Sequence, residues 1–251
     1  MDIATLQRLC ARTWPGLEKG AVGEWELRAA GGFTGRASSA LPIGDPGLPL
    51  PDAVGAVCGW YAARGLAPRL QVPATLPDGP QQDAAPGVDA WCDQQGWQAE
   101  PWTTVMLRDT RDTAPTPPSG IDLRWGDRPD AAWLGLSHYR GAELPEAARR
   151  VITAAPASYL SVRCGDEVLG IGRAALAEHV VVLTAIEVVA AQRRRGLGEL
   201  ITRALAARGA ENGAGTAALQ VFAHNLGAVS LYRRLGYRDH HRYRYRYLPS
   251  A

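Results

Sequence analysis

The sequence predicts an α+β protein, and two stretches in its C-terminal half carry this prediction. In the first, Val180–Asn212, an apolar and β-branched run typical of a buried strand leads through a basic turn into residues at helical spacing, which begin at about Leu197. In the second, the strand-like run Ala217–Phe222 precedes a helix predicted at Ala228–Leu235. Strands and amphipathic helices therefore alternate along this part of the chain.

The turn between the first strand and its helix has the chemistry of an anion-binding site. The first N–H groups of a helix have no partner within the helix, and the helix dipole favours negative charge at that end. Gly196 and Gly198 allow a ligand to approach the backbone closely, and three arginines add positive charge: Arg193, Arg194 and Arg195. Such a site suits a pyrophosphate.

Two motifs resemble those of a known family. Arg193-x-x-Gly196-x-Gly198 resembles the R/Q-x-x-G-x-G/A loop that binds acyl-CoA in the GNAT superfamily of N-acetyltransferases. The segment Asn225–Tyr237 resembles the N-x-x-A-x-x-L-Y-x-x-L-G-F/Y helix of the same superfamily. The resemblance implies a mixed α/β sheet and acetyl-CoA as co-substrate. It also implies transfer of the acetyl group to a primary amine of a small molecule or amino acid, by direct attack in a ternary complex.

The resemblance further implies how acetyl-CoA is held. In this fold the pantetheine arm lies between two splayed strands, where the Val188 N–H would stabilise the oxyanion. The pyrophosphate would rest on N–H groups of Arg194–Glu199, and two helices, Pro129–Tyr139 and Pro145–Thr153, would face the acceptor. Asn225 matches an asparagine that bonds to the arm, and it also suits a helix N-cap. The residues expected to bind the cofactor are Ile186, Glu187, Val188, Arg193, Arg194, Arg195, Gly196, Leu197, Gly198, Glu199, Asn225 and Tyr232.

Two of these residues are the catalytic candidates. Tyr232 matches the position whose hydroxyl protonates the departing thiolate, and a phenol stays protonated at neutral pH. The alternative for Tyr232 is a half-buried packing residue. Glu187 is the acid on the predicted central strand and is the candidate base for the amine's proton. His179, His224 and bulk water remain alternatives as the base.

A proline-rich stretch divides the chain in two. Thr110–Gly120 contains three prolines and no apolar periodicity, which is typical of a linker. It separates an N-terminal domain, residues 1–109, from the predicted catalytic domain, residues 121–251. In the N-terminal domain, Asp52 is the predicted N-cap of a helix that runs to about Arg64.

Short matches indicate that the first domain is a copy of half an acetyltransferase fold. Ala62-Ala63-Arg64-Gly65 matches Ala206-Ala207-Arg208-Gly209, and these stretches precede similar strands in the two domains. No Gly-x-Gly loop precedes the helix of the first copy, and Cys92 stands where the repeat would place Tyr232. We therefore expect a degenerate, non-catalytic GNAT-like copy, and the two copies would form a pseudo-dimer within one chain.

Two motifs in the first half of the chain resemble those of a smaller group within the superfamily. Trp25-x-Leu27-Arg28 and Thr34-Gly35-Arg36-Ala37-Ser38-Ser39 resemble actinobacterial tandem GNAT proteins, some of the N-acetylglutamate synthase-like type. This resemblance suggests glutamate as an acceptor. Those relatives tend to carry asparagine where this chain has Ser38.

Composition excludes several other classes. No apolar run is long enough to span a membrane, and the first residues lack the basic and apolar regions of a signal peptide. The four cysteines are far apart without metal-ligand spacing, which predicts reduced thiols, no metal site and a cytoplasmic protein. The C-terminal half is basic, which suits an anionic cofactor, and no nucleic-acid motif accompanies its arginines.

Other functions are compatible with the same motifs. A non-catalytic acyl-CoA sensor would keep the cofactor site, and an acetyltransferase acting on protein N-termini or lysines would keep the whole catalytic apparatus. A doubly wound nucleotide-binding protein requires a glycine-rich turn near the chain start and repeated parallel βαβ units, which the sequence lacks. Neither the acceptor nor the oligomeric state follows from the sequence.

Overall fold

The computed structural model describes residues 1–79, 84–110, 113–137 and 144–248. Two parts of the sequence predictions lie outside the described residues, namely positions 111 and 112 of the linker and the end of the helix predicted at Pro129–Tyr139. No helix among the described residues is long and apolar enough to cross a membrane. The helices and strands follow in the order α1 (Ile3–Thr13), β1 (Glu18–Val22), β2 (Trp25–Ala29), α2 (Leu50–Ala62), β3 (Arg69–Ala74), α3 (Val88–Gln94), β4 (Gln98–Ala99), β5 (Thr103–Asp109), β6 (Asp122–Gly126), α4 (Ala131–Leu136), α5 (Glu146–Thr153), β7 (Ser158–Cys164), β8 (Glu167–Ala177), β9 (Val180–Val188), α6 (Leu197–Glu211), β10 (Thr216–Phe222), α7 (Leu226–Arg234) and β11 (Arg238–Tyr247).

These elements form two units. The first contains Met1–Val105, Phe222–His224 and the residues from Asp239 onward, and the second contains Met106–Val221 and Asn225–Arg238. The division predicted from the linker differs from this arrangement, because it assigned the last strand to the catalytic domain. Strand β11 instead lies almost entirely in the first unit, where it pairs antiparallel with β3 along six residues. The unit to which β11 belongs is therefore decided by its pairing with a strand far away in the sequence, and not by the position of the linker.

The second unit contains a mixed sheet, as predicted. Strand β9 is parallel to β10 and antiparallel to β8, and the antiparallel order continues through β7 to β6. Helix α6 connects β9 to β10, as expected for a parallel pair. The core of this unit includes Leu160, Val162, Leu183, Ile201, Leu205, Leu219 and Tyr237.

Helix α6 packs closely on β8 and β9 because glycines stand at the contact positions. A Cβ atom at Gly172 would lie 2.8 Å from Ile201 and 2.7 Å from Leu205, well inside van der Waals contact. A Cβ atom at Gly209 would overlap the side chain of Val181. The helix is therefore held close to the sheet, and its N-terminus stays at the end of β9.

The first unit has several paired strands and its own core. Strands β1 and β2 form an antiparallel hairpin, while β4 adds to β11 beside the pairing with β3. The alternating Arg and Tyr residues of β11 have different partners on its two faces. Arg244 and Arg246 bond to Asp89 on α3, whereas Tyr243 and Tyr245 are buried. The core includes Trp25, Leu27, Val54, Val57, Tyr61, Leu70, Val72 and Cys92.

The start of α2 differs from its prediction. The helix begins at Leu50, its N-cap is Pro49, and no side chain caps it. Asp52 therefore lies within the first turn and is not the cap. A proline in the first turn accounts for this start, since its missing N–H would have no helical partner there. The Asp52 carboxylate still lies near the positive end of the helix dipole.

The tightly packed Gly35 in the first unit leads to a prediction about stability. A Cβ atom at Gly35 would lie 2.5 Å from the ring of Tyr245, whereas the exposed Gly59 in α2 has no such neighbour within 4 Å. We expect Gly35→Ala to lower the free energy of unfolding by about 2 kcal/mol through overpacking. Gly59→Ala should raise it by about 0.5 kcal/mol through helix propensity. Urea denaturation of both variants checks this, and equal effects would contradict the close contact at Gly35.

Candidate functional site

The strands β9 and β10 separate in the second unit. They pair from Val180 to Leu183 on β9 and from Thr216 to Leu219 on β10. Beyond that point β9 continues to Val188 and β10 to Phe222, but the register between them has ended. The two strand ends thus leave backbone groups of β9 facing a gap, as the resemblance to the GNAT fold implied.

A β-bulge in β9 lies directly after the last paired residue. Thr184 is opposite Arg173 of β8, but the next regular pair joins Glu187 to Ile171, so β9 carries an additional residue. Ala185 adopts a left-handed conformation in this bulge, with a φ of 50°. A bulge bends its strand and increases the local twist. It therefore turns the end of β9 at the point where β10 departs.

The hydrogen bonds after the bulge orient Val188. The Val189 N–H donates to the Leu169 carbonyl on β8 at 2.9 Å. Because alternate residues of an antiparallel strand face the partner strand, the Glu187 N–H also points to β8, whereas the Val188 N–H points to the β10 side. The Val188 carbonyl, on that same side, accepts a bond from Arg193 Nε at 3.3 Å. The backbone group that faces the gap is therefore that of Val188, not that of Glu187.

A cavity of about 590 Å³ occupies this region, which is within the size range of small-molecule sites. One wall is the end of β9, a second is the glycine loop with the first turn of α6, and the third is α7. The lining residues are Ile186, Val188, Gln192, Arg193, Arg194, Gly196, Leu197, Gly198, Glu199, Gly227, Ala228, Ser230, Leu231, Tyr232 and Arg234.

The loop between β9 and α6 presents backbone donors to the cavity. Gly196 is the N-cap of α6 with a φ of 82°, and no side chain caps the helix. The first N–H groups of α6 therefore remain available to an anion, and the helix dipole favours negative charge there. Arg194, with a φ of 64°, also lines the cavity. The Arg195 guanidinium donates to Gln192 Oε1 at 2.6 Å.

Helix α7 brings Tyr232 into the cavity. Asn225 caps this helix, since its Oδ1 accepts from the Ala228 N–H at 3.2 Å, which confirms the N-cap role. The Tyr232 ring is buried and packs edge-on against Tyr237, with ring centroids 5.9 Å apart. Burial raises the pKa of Tyr232 to about 12. The Tyr232 phenol is therefore a neutral donor over the physiological pH range.

Most of the predicted cofactor-binding residues lie together around this cavity. Glu187, Arg195 and Asn225 do not line it. Sequence reasoning missed six lining residues, and five of them lie on α7. Helical periodicity from Tyr232 indicates Ala228, one turn earlier on the same face of α7. It does not indicate Ser230 and Arg234, since residues two positions from Tyr232 lie on the opposite side of the helix. The six are Gln192, Gly227, Ala228, Ser230, Leu231 and Arg234.

The candidate bases are spread over the molecule. Glu187 is half-buried, and its side chain points to the face of β9 opposite to Ile186 and Val188, because side chains alternate along a strand. His179 directly precedes β9, about 30 Å from Val188 by the rise of an extended strand. His179 is therefore excluded as the base. His224 belongs to the first unit.

The bulge leads to a second prediction. Ala185 is held in a left-handed conformation that costs an alanine about 1 kcal/mol more than a glycine. We expect Ala185→Gly to raise the free energy of unfolding by up to about 1 kcal/mol. Ala210→Gly, in the regular helix α6, should lower it by a similar amount. Thermal unfolding of the two variants checks this, and loss of stability in both would mean that the bulge is not strained.

Comparisons with known proteins agree with this architecture. The sequence model of the family described as "Probable histone acetyltransferase Rv0428c C-terminal" matches residues 1–246. The probable histone acetyltransferase Rv0428c of Mycobacterium tuberculosis is 31% identical over 99% of this chain and 74% of that protein. The uncharacterized N-acetyltransferase YobR of Bacillus subtilis is 26% identical over 96% of this chain and 97% of that protein.

A solved structure has the same fold. The GCN5-related N-acetyltransferase from Kribbella flavida superposes with a TM-score of 0.72 at 20% identity, covering 99% of this chain and 94% of that chain. At this identity the likeness establishes the fold. The family match over nearly the whole chain goes further: the chain, which has the fold of a GCN5-related N-acetyltransferase, belongs to the family described as "Probable histone acetyltransferase Rv0428c C-terminal".

Proposed function

We propose that this chain is an N-acetyltransferase that moves an acetyl group from acetyl-CoA to a primary amine by direct attack in a ternary complex. The observation that carries the proposal is the cavity at the split between β9 and β10. It combines a backbone N–H directed into the gap, an uncapped helix N-terminus and a buried phenol. The backbone N–H suits the thioester oxygen, the helix N-terminus suits the pyrophosphate of CoA, and the phenol suits the departing thiolate.

In this proposal two of the three walls of the cavity bind different parts of acetyl-CoA. The Val188 N–H donates to the thioester oxygen and stabilises the negative charge that develops there as the amine attacks. Ile186 and Val188 line the path of the pantetheine arm. The N–H groups of the first turn of α6, together with Arg194, hold the pyrophosphate. Asn225 serves this site by capping α7.

Tyr232 is the proposed general acid. When the thioester C–S bond breaks, the hydroxyl gives its proton to the departing thiolate, whose ordinary pKa is near 8.5. A pKa of about 12 keeps Tyr232 protonated at neutral and mildly alkaline pH. Activity should therefore not fall on the alkaline side through ionisation of Tyr232 until the pH approaches 12.

Glu187 is the proposed acceptor of the amine's proton, directly or through water. It lies beside Val188 on β9 but on the other face of the strand. The carboxylate would therefore act on an amine that approaches from the face of β9 opposite to Ile186 and Val188.

The proposed acceptor is a small molecule or an amino acid, with glutamate as one member of that class. The Mycobacterium relative is named a probable histone acetyltransferase, so a protein lysine is the second candidate. Both acceptors offer a primary amine to the same chemistry. We also propose that the N-terminal part of the chain is a degenerate copy that binds no acetyl-CoA, since its sequence lacks the Gly-x-Gly loop and the tyrosine.

Binding of acetyl-CoA tests the site. Calorimetry should give one acetyl-CoA per chain, and acetyl-CoA should raise the melting temperature by preferential binding to the folded state. Gly196→Asp should abolish both effects, because it adds a negative charge where the pyrophosphate rests. Gly213→Asp is the matched control, since Gly213 has a similar φ of 89° at the opposite end of α6. Retained binding by a folded Gly196→Asp variant, or two sites per chain, would contradict this assignment.

Chemistry at Tyr232 is tested separately. Acceptors are first found by screening amino acids, other amines and lysine peptides for release of free thiol from acetyl-CoA. With the best acceptor, Tyr232→Phe should lower kcat by roughly 10²- to 10⁴-fold with unchanged affinity for acetyl-CoA, because the ring is kept. Tyr237→Phe removes a neighbouring buried hydroxyl outside the cavity lining and should leave kcat unchanged. Full kcat in Tyr232→Phe would make Tyr232 a packing residue.

A further inference from the structure

The end of α7 brings an arginine to the cavity that neither sequence motif specifies. Arg234 lines the cavity from the last turn of the helix, and its Nη1 donates to Ser230 Oγ one turn earlier, at 3.0 Å. Ser230 lines the same wall. A guanidinium has five N–H donors, so this bond orients Arg234 while most of its donors remain available.

The other arginines near the cavity have different surroundings. Arg193 and Arg195 each donate to the protein itself, to the Val188 carbonyl and the Gln192 side chain. Arg194 has no side-chain hydrogen bond or ion pair to any residue that the structure describes, and it belongs to the glycine loop. Arg194 and Arg234 are therefore two cations on two different walls of the cavity.

Acyl-CoA carries two separate anionic groups. One is the pyrophosphate, and the other is a phosphomonoester on the 3′ position of the ribose, with a charge of about −1.5 to −2 at neutral pH. The N–H groups of one helix N-terminus lie together at its first turn, so they serve one of these groups. The second group requires a donor on a different element, and planar guanidinium groups match phosphate oxygens well.

We propose that Arg234, oriented by Ser230, binds the 3′-phosphate of acyl-CoA and makes the protein select CoA over its 3′-dephospho form. This inference rests on the proposed binding of acetyl-CoA. It adds a specificity-determining residue on α7, on a different wall of the cavity from the glycine loop.

A purely structural role for Arg234 makes a different prediction. A cation in the last turn of a helix interacts favourably with the helix dipole, and the bond to Ser230 joins residues four apart on one face. Both effects stabilise α7 equally whether the ligand has a 3′-phosphate or not. Only direct contact makes the effect of Arg234 depend on that group.

The test is a thermodynamic cycle between the residue and the phosphate. Calorimetry gives the Kd values of acetyl-CoA and 3′-dephospho-acetyl-CoA for the wild-type protein and for Arg234→Ala. We expect the wild type to bind the dephospho form about tenfold more weakly, which is the size of one partly exposed charge-assisted bond. The Arg234→Ala variant should bind the two ligands with equal affinity, about tenfold below that of the wild type for acetyl-CoA.

Two further variants control for charge and folding. Arg233→Ala removes an exposed arginine from the same turn that does not line the cavity, and it should keep the tenfold preference. Arg234→Lys keeps the charge and should recover part of the preference. A preference that survives in Arg234→Ala, or one that disappears in Arg233→Ala, would overturn the inference. Failure of the wild type to bind either ligand would instead contradict the proposed function, and this inference with it.

Discussion

The close contact between α6 and the strands β8 and β9 is the constraint on which the site depends. Because Gly172 and Gly209 have no side chains, the helix lies directly on the sheet. Residues 189–196 then join the end of β9 to the first residue of α6. The positive end of the helix dipole consequently faces the gap where β9 and β10 separate. A larger residue at either glycine would lift the helix and move its N–H groups away from the cavity.

The cavity combines two electrostatic environments, which suit two parts of the proposed function: binding of an anion and donation of a proton. At its buried side, low polarity raises the pKa of Tyr232 to about 12, so that the phenol is protonated at neutral pH. At its exposed side, Arg194 and Arg234 remain charged and accessible. Cations placed beside Tyr232 would favour its ionised form and weaken it as an acid. Arg194 lies on the glycine loop, and Arg234 projects from the side of α7 opposite to Tyr232. This separation allows one site both to attract an anion and to keep a neutral proton donor.

Local sequence predicted those features that depend on local physics. The apolar run of β9, the glycine turn and the spacing of α6 gave the strand, the loop and the helix within a few residues. The bulge at Ala185 was not predictable, because no glycine marks it and it arises from the register with β8. The bulge also affects which face of β9 carries Glu187, and the sequence alone does not determine that face. The unit to which β11 belongs depends on its pairing with β3, which lies far away in sequence.

The motifs of the N-terminal half contribute to the fold, which limits what they say about the acceptor. The Arg28 side chain is buried, and its guanidinium bonds to the Ser39 carbonyl and hydroxyl and to Gln71 Oε1. Gly35 lies under the ring of Tyr245, where no larger residue fits. Burying an arginine among neutral partners requires that each bond be kept, because a lost partner leaves a desolvated charge. These positions are therefore constrained by packing in the first unit. A likeness in this stretch identifies the family, and the acceptor must be specified by other residues.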